Sequence, residues 1–279
     1  MTYVYLAFTI LFWGTGQTFL KLGLAKSTPI SSFLVGGLAG LVVGLPYILT
    51  HELQFAKWEI LFPMVFVIAM CYLTFYYSLN AGELSVTSAV LGTYPLYTVI
   101  FAVLFLGETL IAKQWTGLLI IITGVGLLSA ASNPGEDKKK MTANDKIWFA
   151  ISILSALLIG VGDALSKVVV THATVATYLL YFNIVQIIMG TLLKLIFEKG
   201  NFNFSAIKSR HSFIGMFLLN LGGIVFMLAL ESGNASVIVP LSSTYIALVT
   251  LLSWLFLGEK FNTPKTIGIF MVIGGISMI

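Results

Sequence analysis

Two stretches of this sequence carry polar chemistry where their neighbours are apolar. WGTGQTFLK, residues 13–21, sets Trp13, Gln17 and Lys21 four apart, and IGVGDALSK, residues 159–167, sets Asp163 and Lys167 four apart. Side chains at that spacing share a helix face. Asp163 lies eight residues before the end of its apolar run at THAT, about 12 Å along a helix axis. A carboxylate has no long stem to carry it back to water, so this acid is expected to face protein or a wet cavity. Two readings stay open: an ion pair with Lys167 that lets both charges sit inside, or a carboxylate that exchanges protons with an aqueous path. Lys21 and Lys167 have stems long enough to snorkel to the headgroups, against the alternative that they act with Asp163 as coupling charges. Gln17 in lipid would be costly, so the face it shares with Trp13 is expected to point into a bundle.

Tyrosines and prolines form a second set. Tyr72, Tyr76 and Asn80 recur every four residues, Tyr94 and Tyr97 follow, and Tyr245 stands further on. Tyrosine anchors spans at interfaces and packs between helices, and an aromatic face also binds organic substrates. Trp13, Gln17, Tyr72, Tyr76, Tyr94, Asp163, Asn220 and Tyr245 are the candidate substrate contacts. Asn183 and Gln186, and Asn220 on its other reading, suit hydrogen bonds between helices. Pro95 and Pro240 each remove a backbone donor inside an apolar run and mark candidate hinges.

Catalytic and metal chemistry find little support. There is no HExxH, GxSxG or Walker loop, and SAIK at 205–208 has no companion motifs. His51, His172 and His211 fall in loops or at the ends of runs. Cys71 is the only cysteine, so neither an internal disulfide nor a metal cluster is expected, and no cofactor.

Apolar helices must position these residues. Of the chain, 58% is hydrophobic and 9% charged, against about 25% charged in soluble domains. Ten apolar stretches fall near 2–25, 30–49, 58–80, 84–106, 112–131, 146–170, 174–197, 212–231, 236–257 and 263–279, most of them near the 20 or so residues that cross a bilayer. The expected fold is an all-α integral membrane protein. The first stretch lacks a basic start and reads as a retained span, not a signal peptide.

Residues 132–145, SNPGEDKKKMTAND, read as a solvated linker between a first unit, 1–131, and a second, 146–279. Residues 79–128 placed on 230–279 without a gap give fourteen identities, including Gly82 with Gly233, Ser85 with Ser236, Thr93 with Thr244 and Tyr94 with Tyr245. LFLGE stands intact at 104–108 and 255–259, so Glu108 and Glu259 mark the repeat. A shift of 146 pairs Gly14, Gly16 and Lys21 with Gly160, Gly162 and Lys167. A unit of five spans starts on one side of the membrane and ends on the other, so its copy enters upside down. Ten transmembrane helices as an inverted 5+5 repeat place a substrate between the halves near the midplane, exposed to each side in turn. Gly36, Gly40 and Gly44, and Gly117 with Gly124, Gly268 and Gly275, suit close helix packing, in a monomer or a homodimer.

The segments FWGTGQTFLKLGL, YYSLNAGELSVTSAV, LGTYPLYTVIFAVLFLGE and QWTGLLIIITGVGLLS resemble the EamA-type branch of the drug/metabolite transporter superfamily. The resemblance covers nearly the whole chain. It implies ten helices in two inverted halves that move a small metabolite, often an amino acid or related compound, frequently outward. The family's usual basic residue early in its second helix is missing here, and its frequent helix-6 asparagine is Asp163. The expected pathway is lined by the first, third, fourth, sixth, eighth and ninth spans, with a small-molecule substrate, the lipid bilayer and protons as partners. A flippase for a lipid-linked sugar or lipid, an intramembrane enzyme and a channel stand as alternatives.

Charge placement bears on orientation. Loops on the side of the termini hold Lys57 and Lys113, while the opposite loops hold Lys26, Lys138, Lys139, Lys140, Lys146, Lys199, Lys208, Arg210, Lys260 and Lys265. The positive-inside rule places both termini outside the cell, whereas the resemblance implies termini in the cytoplasm; the charge count is preferred. The same basic loops account for the net charge of +4 through anionic headgroups, with no nucleic acid invoked. A multi-pass protein of a prokaryotic cell membrane is the expected setting.

Overall fold

A computed structural model describes residues 1–21, 28–55, 57–81, 91–131, 143–200, 210–257, 262–276 and 278. The helices are α1 (Thr2–Lys21), α2 (Pro29–Thr50), α3 (Trp58–Ala81), α4 (Tyr94–Phe105), α5 (Ala112–Ala131), α6 (Ala143–His172), α7 (Val175–Phe197), α8 (Arg210–Ser232), α9 (Ala235–Ser243), α10 (Tyr245–Leu257) and α11 (Thr263–Ile276). Among the described residues there is no strand, as a lipid setting requires of a chain that satisfies its backbone within helices. Among the described residues, six helical stretches are long and apolar enough to cross a membrane, one of them Ala235–Leu252, which runs through α9 into α10. Glu259, the SAIK segment and Lys138, Lys139 and Lys140 lie outside the described residues, as do the side chains of Lys21 and Asn80. α6 already begins at Ala143, within the last residues of the expected linker.

Corresponding positions of the two halves fold alike. Thr28 and Thr174, related by the shift of 146, are both N-caps, each accepting at 3.2 Å from the backbone N–H three residues on, Ser31 and Thr177. Such a cap satisfies one of the four orphan donors of a helix start. The fourth and ninth spans both interrupt at the matched threonines: α4 starts after Thr93, and α9 gives way to α10 at Thr244.

Pro95 departs from expectation. It sits at the start of α4, not midway along a longer helix, where its missing N–H costs nothing and its fixed φ suits the first turn. Pro240 does lie inside α9. Hydroxyls at and around the break cover carbonyls there: Ser242 donates to Val239 O at 2.8 Å, Ser243 to Pro240 O at 2.7 Å and Thr244 to Leu241 O at 2.7 Å.

The packing is reciprocal between halves. α1 lies on α8 as α3 lies on α6; α1 meets α10 as α6 meets α4; α2 pairs with α7, and α5 with α11. Glycines let these helices approach. A Cβ on Gly14 would stand 2.6 Å from the Leu248 side chain, and one on Gly160 would stand 2.7 Å from Tyr97 Cβ; both members of the first contact are repeat mates of the second. At the α5–α11 contact, a Cβ on Gly124 would meet Gly268 O at 2.9 Å and one on Gly275 would meet Gly117 O at 2.7 Å. The Gly36–Gly40 ridge of α2 is filled from inside by Tyr76, Gln186, Asn183 and Asn220, so it is not a free face for a second copy. Val42, Leu49, Phe105, Ile196 and Phe270 stay exposed, the apolar surface that lipid covers.

Candidate functional site

Asp163 is the centre of the site. It is 3% exposed, held on α6 where Gly160 and Gly162 bring the helix against α4 and α3. The Tyr72 hydroxyl of α3 donates to its Oδ1 at 3.1 Å. Tyr94, Tyr178 and Tyr245 lie within electrostatic reach of the carboxylate from α4, α7 and α10, and so does Cys71.

The expected ion pair with Lys167 is not formed. Its ammonium donates to Leu230 O at 2.8 Å and Glu231 O at 3.2 Å, the last turn of α8. Helix C-termini present unpaired carbonyls and a partial negative charge, which a lysine complements. Position four along the helix permitted the pair; an adjacent helix end took the lysine instead.

On the other side of the site, Gln17 Nε2 donates to the Tyr245 hydroxyl at 3.1 Å. Trp13 packs edge-on to Tyr245 with centroids 5.6 Å apart, tilts over Phe226 at 4.9 Å, and donates from Nε1 to Leu219 O at 3.2 Å. Gln17 and Asp163 are themselves repeat mates, as are Tyr94 and Tyr245. The two poles thus stand at equivalent positions, an amide at one and an acid at the other, although their hydroxyl partners Tyr245 and Tyr72 are not themselves repeat mates.

Two of the expected contacts stand elsewhere. The Tyr76 hydroxyl approaches Gly36, its ring edge-on to Phe33 at 5.9 Å. Asn220 donates to Met216 O at 2.9 Å in its own helix and turns its oxygen toward Gly40, beside Asn183, which likewise donates to Leu179 O at 2.8 Å and turns its oxygen toward Gly40. Gln186 donates to Phe33 O at 2.9 Å. These residues seam α2 to α3, α7 and α8.

Tyr178 belongs to the site and was missed. It is buried, shares a hydrogen bond of 3.1 Å with Ser166 and stacks on Phe182, whose ring also meets Tyr72 at 5.5 Å. Ser166, three residues beyond Asp163, was the available signal. Glu108 also does more than mark the repeat, since it accepts from Ala235 N at 2.8 Å and from Ser236 N at 2.8 Å and Oγ. Among the described residues no group of His, Cys, Asp and Glu could hold a metal ion.

A family model described as the EamA-like transporter family matches residues 1–130 and again residues 146–279. The chain is similar to the uncharacterized transporter YvbV of Bacillus subtilis (strain 168), 26% identical over 293 residues, covering 100% of this chain and 91% of that protein. It is also similar to the uncharacterized protein MJ1333.1 of Methanocaldococcus jannaschii, 32% identical over 129 residues, 46% of this chain and 93% of that protein. A solved crystal structure shares the fold with a TM-score of 0.74 at 16% identity, covering 99% of this chain and 95% of that one.

Proposed function

The chain belongs to the EamA-like transporter family, and from that premise we propose that it is a secondary active exporter of a small organic metabolite, an amino acid or related compound, working by alternating access. The halves 1–131 and 146–279 are two antiparallel five-span units, and the linker between them carries the second back to the side on which the first ended. Supporting this are the reciprocal helix pairings and the family model's separate match to each half. A relative matched over 93% of its length by less than half of this chain points to the same unit.

The observation that carries the reading is Asp163: a buried acid at mid-span, held by one tyrosine hydroxyl, beside two interrupted spans. Broken helices at membrane depth are where secondary transporters place their substrates and coupling ions, and the matched breaks at Thr93 and Thr244 let each half bend about the site. Asp163 binds the coupling proton or the substrate ammonium, with Trp13, Gln17, Tyr72, Tyr94 and Tyr245 around it and the neighbouring breaks at Pro95 and Pro240 as hinges. Tyr76 and Asn220 set the helix seam behind it. Both termini face outward in a prokaryotic cell membrane, and the working unit is a monomer or a homodimer.

The test is flux in proteoliposomes. Saturable counterflow of amino acids or amines, lost in Asp163→Asn protein that still folds, supports the reading. Flux that does not saturate favours a channel, and a chemically altered compound favours an enzyme.

A further inference from the structure

We propose, resting on the reading above, that the midplane site selects an organic monocation: an amine that lacks a carboxylate, its ammonium at Asp163 and its uncharged end toward Gln17 and Tyr245. The repeat makes the two poles comparable. Gln17 and Asp163 occupy equivalent positions on α1 and α6, 146 residues apart, and each is joined to a tyrosine hydroxyl, Tyr245 at 3.1 Å and Tyr72 at 3.1 Å. One pole is an acid that can carry a negative charge, and the other is an amide that cannot.

Charge balance then fixes the kind of ligand. The groups that face Asp163 are Cys71 and Tyr72 from α3, Tyr94 from α4, Tyr178 from α7 and Tyr245 from α10. All are neutral in their ordinary state. On its own helix, Lys167 is engaged by Leu230 O and Glu231 O, so among the described side chains no cation answers the acid. A carboxylate at membrane depth needs a counter-charge, and an ammonium arriving there finds both that carboxylate and aromatic rings suited to a cation.

A zwitterion meets the opposite situation. Its own carboxylate would enter a site that already holds an acid, with no described cation to receive it. A diamine would bring two charges to one. Gln17 is therefore a specificity-determining residue: its amide serves the neutral end of a monoamine, and an acid in its place supplies the second charge that a diamine needs.

The experiment uses the full chain in proteoliposomes, with counterflow and thermal stabilisation measured for phenethylamine, phenylalanine and cadaverine. Phenethylamine is expected to exchange, with phenylalanine and cadaverine each at least about tenfold weaker, near 1.4 kcal/mol. Asp163→Asn is expected to lose the amine. Gln17→Glu is expected to gain cadaverine binding by about tenfold, a gain that a misfolded protein cannot show. Phenylalanine exchanging as well as or better than phenethylamine overturns the inference and leaves the transporter reading standing. Gln17→Glu binding phenethylamine with its preference over cadaverine unchanged also overturns it. No exchange of any of the three overturns both.

Discussion

Glu108, at the end of the first LFLGE block, caps the helix that begins at Ala235 in the second half of the chain, its two carboxylate oxygens each taking one backbone N–H at 2.8 Å. Just before that helix, Lys167 holds the carbonyls of Leu230 and Glu231, and Ser232 bonds Thr2 at 2.9 Å. The α8–α9 turn is therefore gripped by an acid at the positive end of one helix and a base at the negative end of another. This turn lies beside the N-terminus, where Thr2 meets it.

Loss of the cap is expected to cost about 1–2 kcal/mol. Glu108→Gln keeps one acceptor and should lose less stability than Glu108→Ala, read as thermal melting in detergent. If the grip closes the terminal side, Glu108→Gln also speeds alkylation of buried Cys71 from that side more than from the other. Equal acceleration from both sides counts against a closing role.

Tyr72→Phe removes the hydroxyl that donates to Asp163. Hydrogen bonds to charged groups are worth about 1.5–3 kcal/mol, so substrate or proton affinity at Asp163 should change at least about tenfold while melting changes little. Isothermal titration with a compound that shows counterflow checks this. Tyr76→Phe, which leaves Asp163 untouched, should change affinity far less.

Asp163→Asn should abolish uptake driven by a pH gradient while leaving the protein folded. Retention of gradient-driven uptake at the parent rate would remove Asp163 as the coupling group.

Gly160→Ala and Gly14→Ala test the reciprocal close contacts. At Gly160 the added methyl meets Tyr94 O at 2.8 Å and Thr98 N at 2.9 Å, backbone that cannot step aside, whereas at Gly14 it meets the branched end of Leu248. Gly160→Ala should cost about 1–3 kcal/mol and Gly14→Ala less, with Gly126→Ala, which meets nothing within 4 Å, near neutral. Thermal melting ranks the three.

The proposed orientation, with the termini outside the cell, would place Lys139 on the cytoplasmic side. A cysteine at Lys139 should resist an impermeant thiol reagent in intact cells and react after permeabilisation; labelling in intact cells would invert the orientation.

Asp163 shows where the sequence sufficed and where it stopped. Its depth in an apolar run, and the duplicated motif around it, located a polar centre from residue types and spacing alone. Spacing also allowed the Asp163–Lys167 pair, and there it misled, because the end of α8 that captures Lys167 is brought in from some sixty residues away, 63 to Leu230. Tyr178 escaped notice for a related reason: Phe182 is its neighbour one turn on, but Ser166 reaches it only once α6 and α7 fold back together.

Pro95 carries the point to the backbone. Its type announced an interruption in the fourth span, but whether the ring kinks a helix or begins one depends on where the preceding turn closes.

What the sequence by itself determined is the membrane setting, the helical class and the repeat, since these follow from apolar length, backbone satisfaction in lipid and matched residues along one chain. The tertiary structure alone decided which polar groups meet: Tyr72 with Asp163, Gln17 with Tyr245, Glu108 with Ser236, Lys167 with the end of α8. Helix periodicity fixes the face on which a side chain stands, and only the packing of one helix on another fixes what stands opposite it.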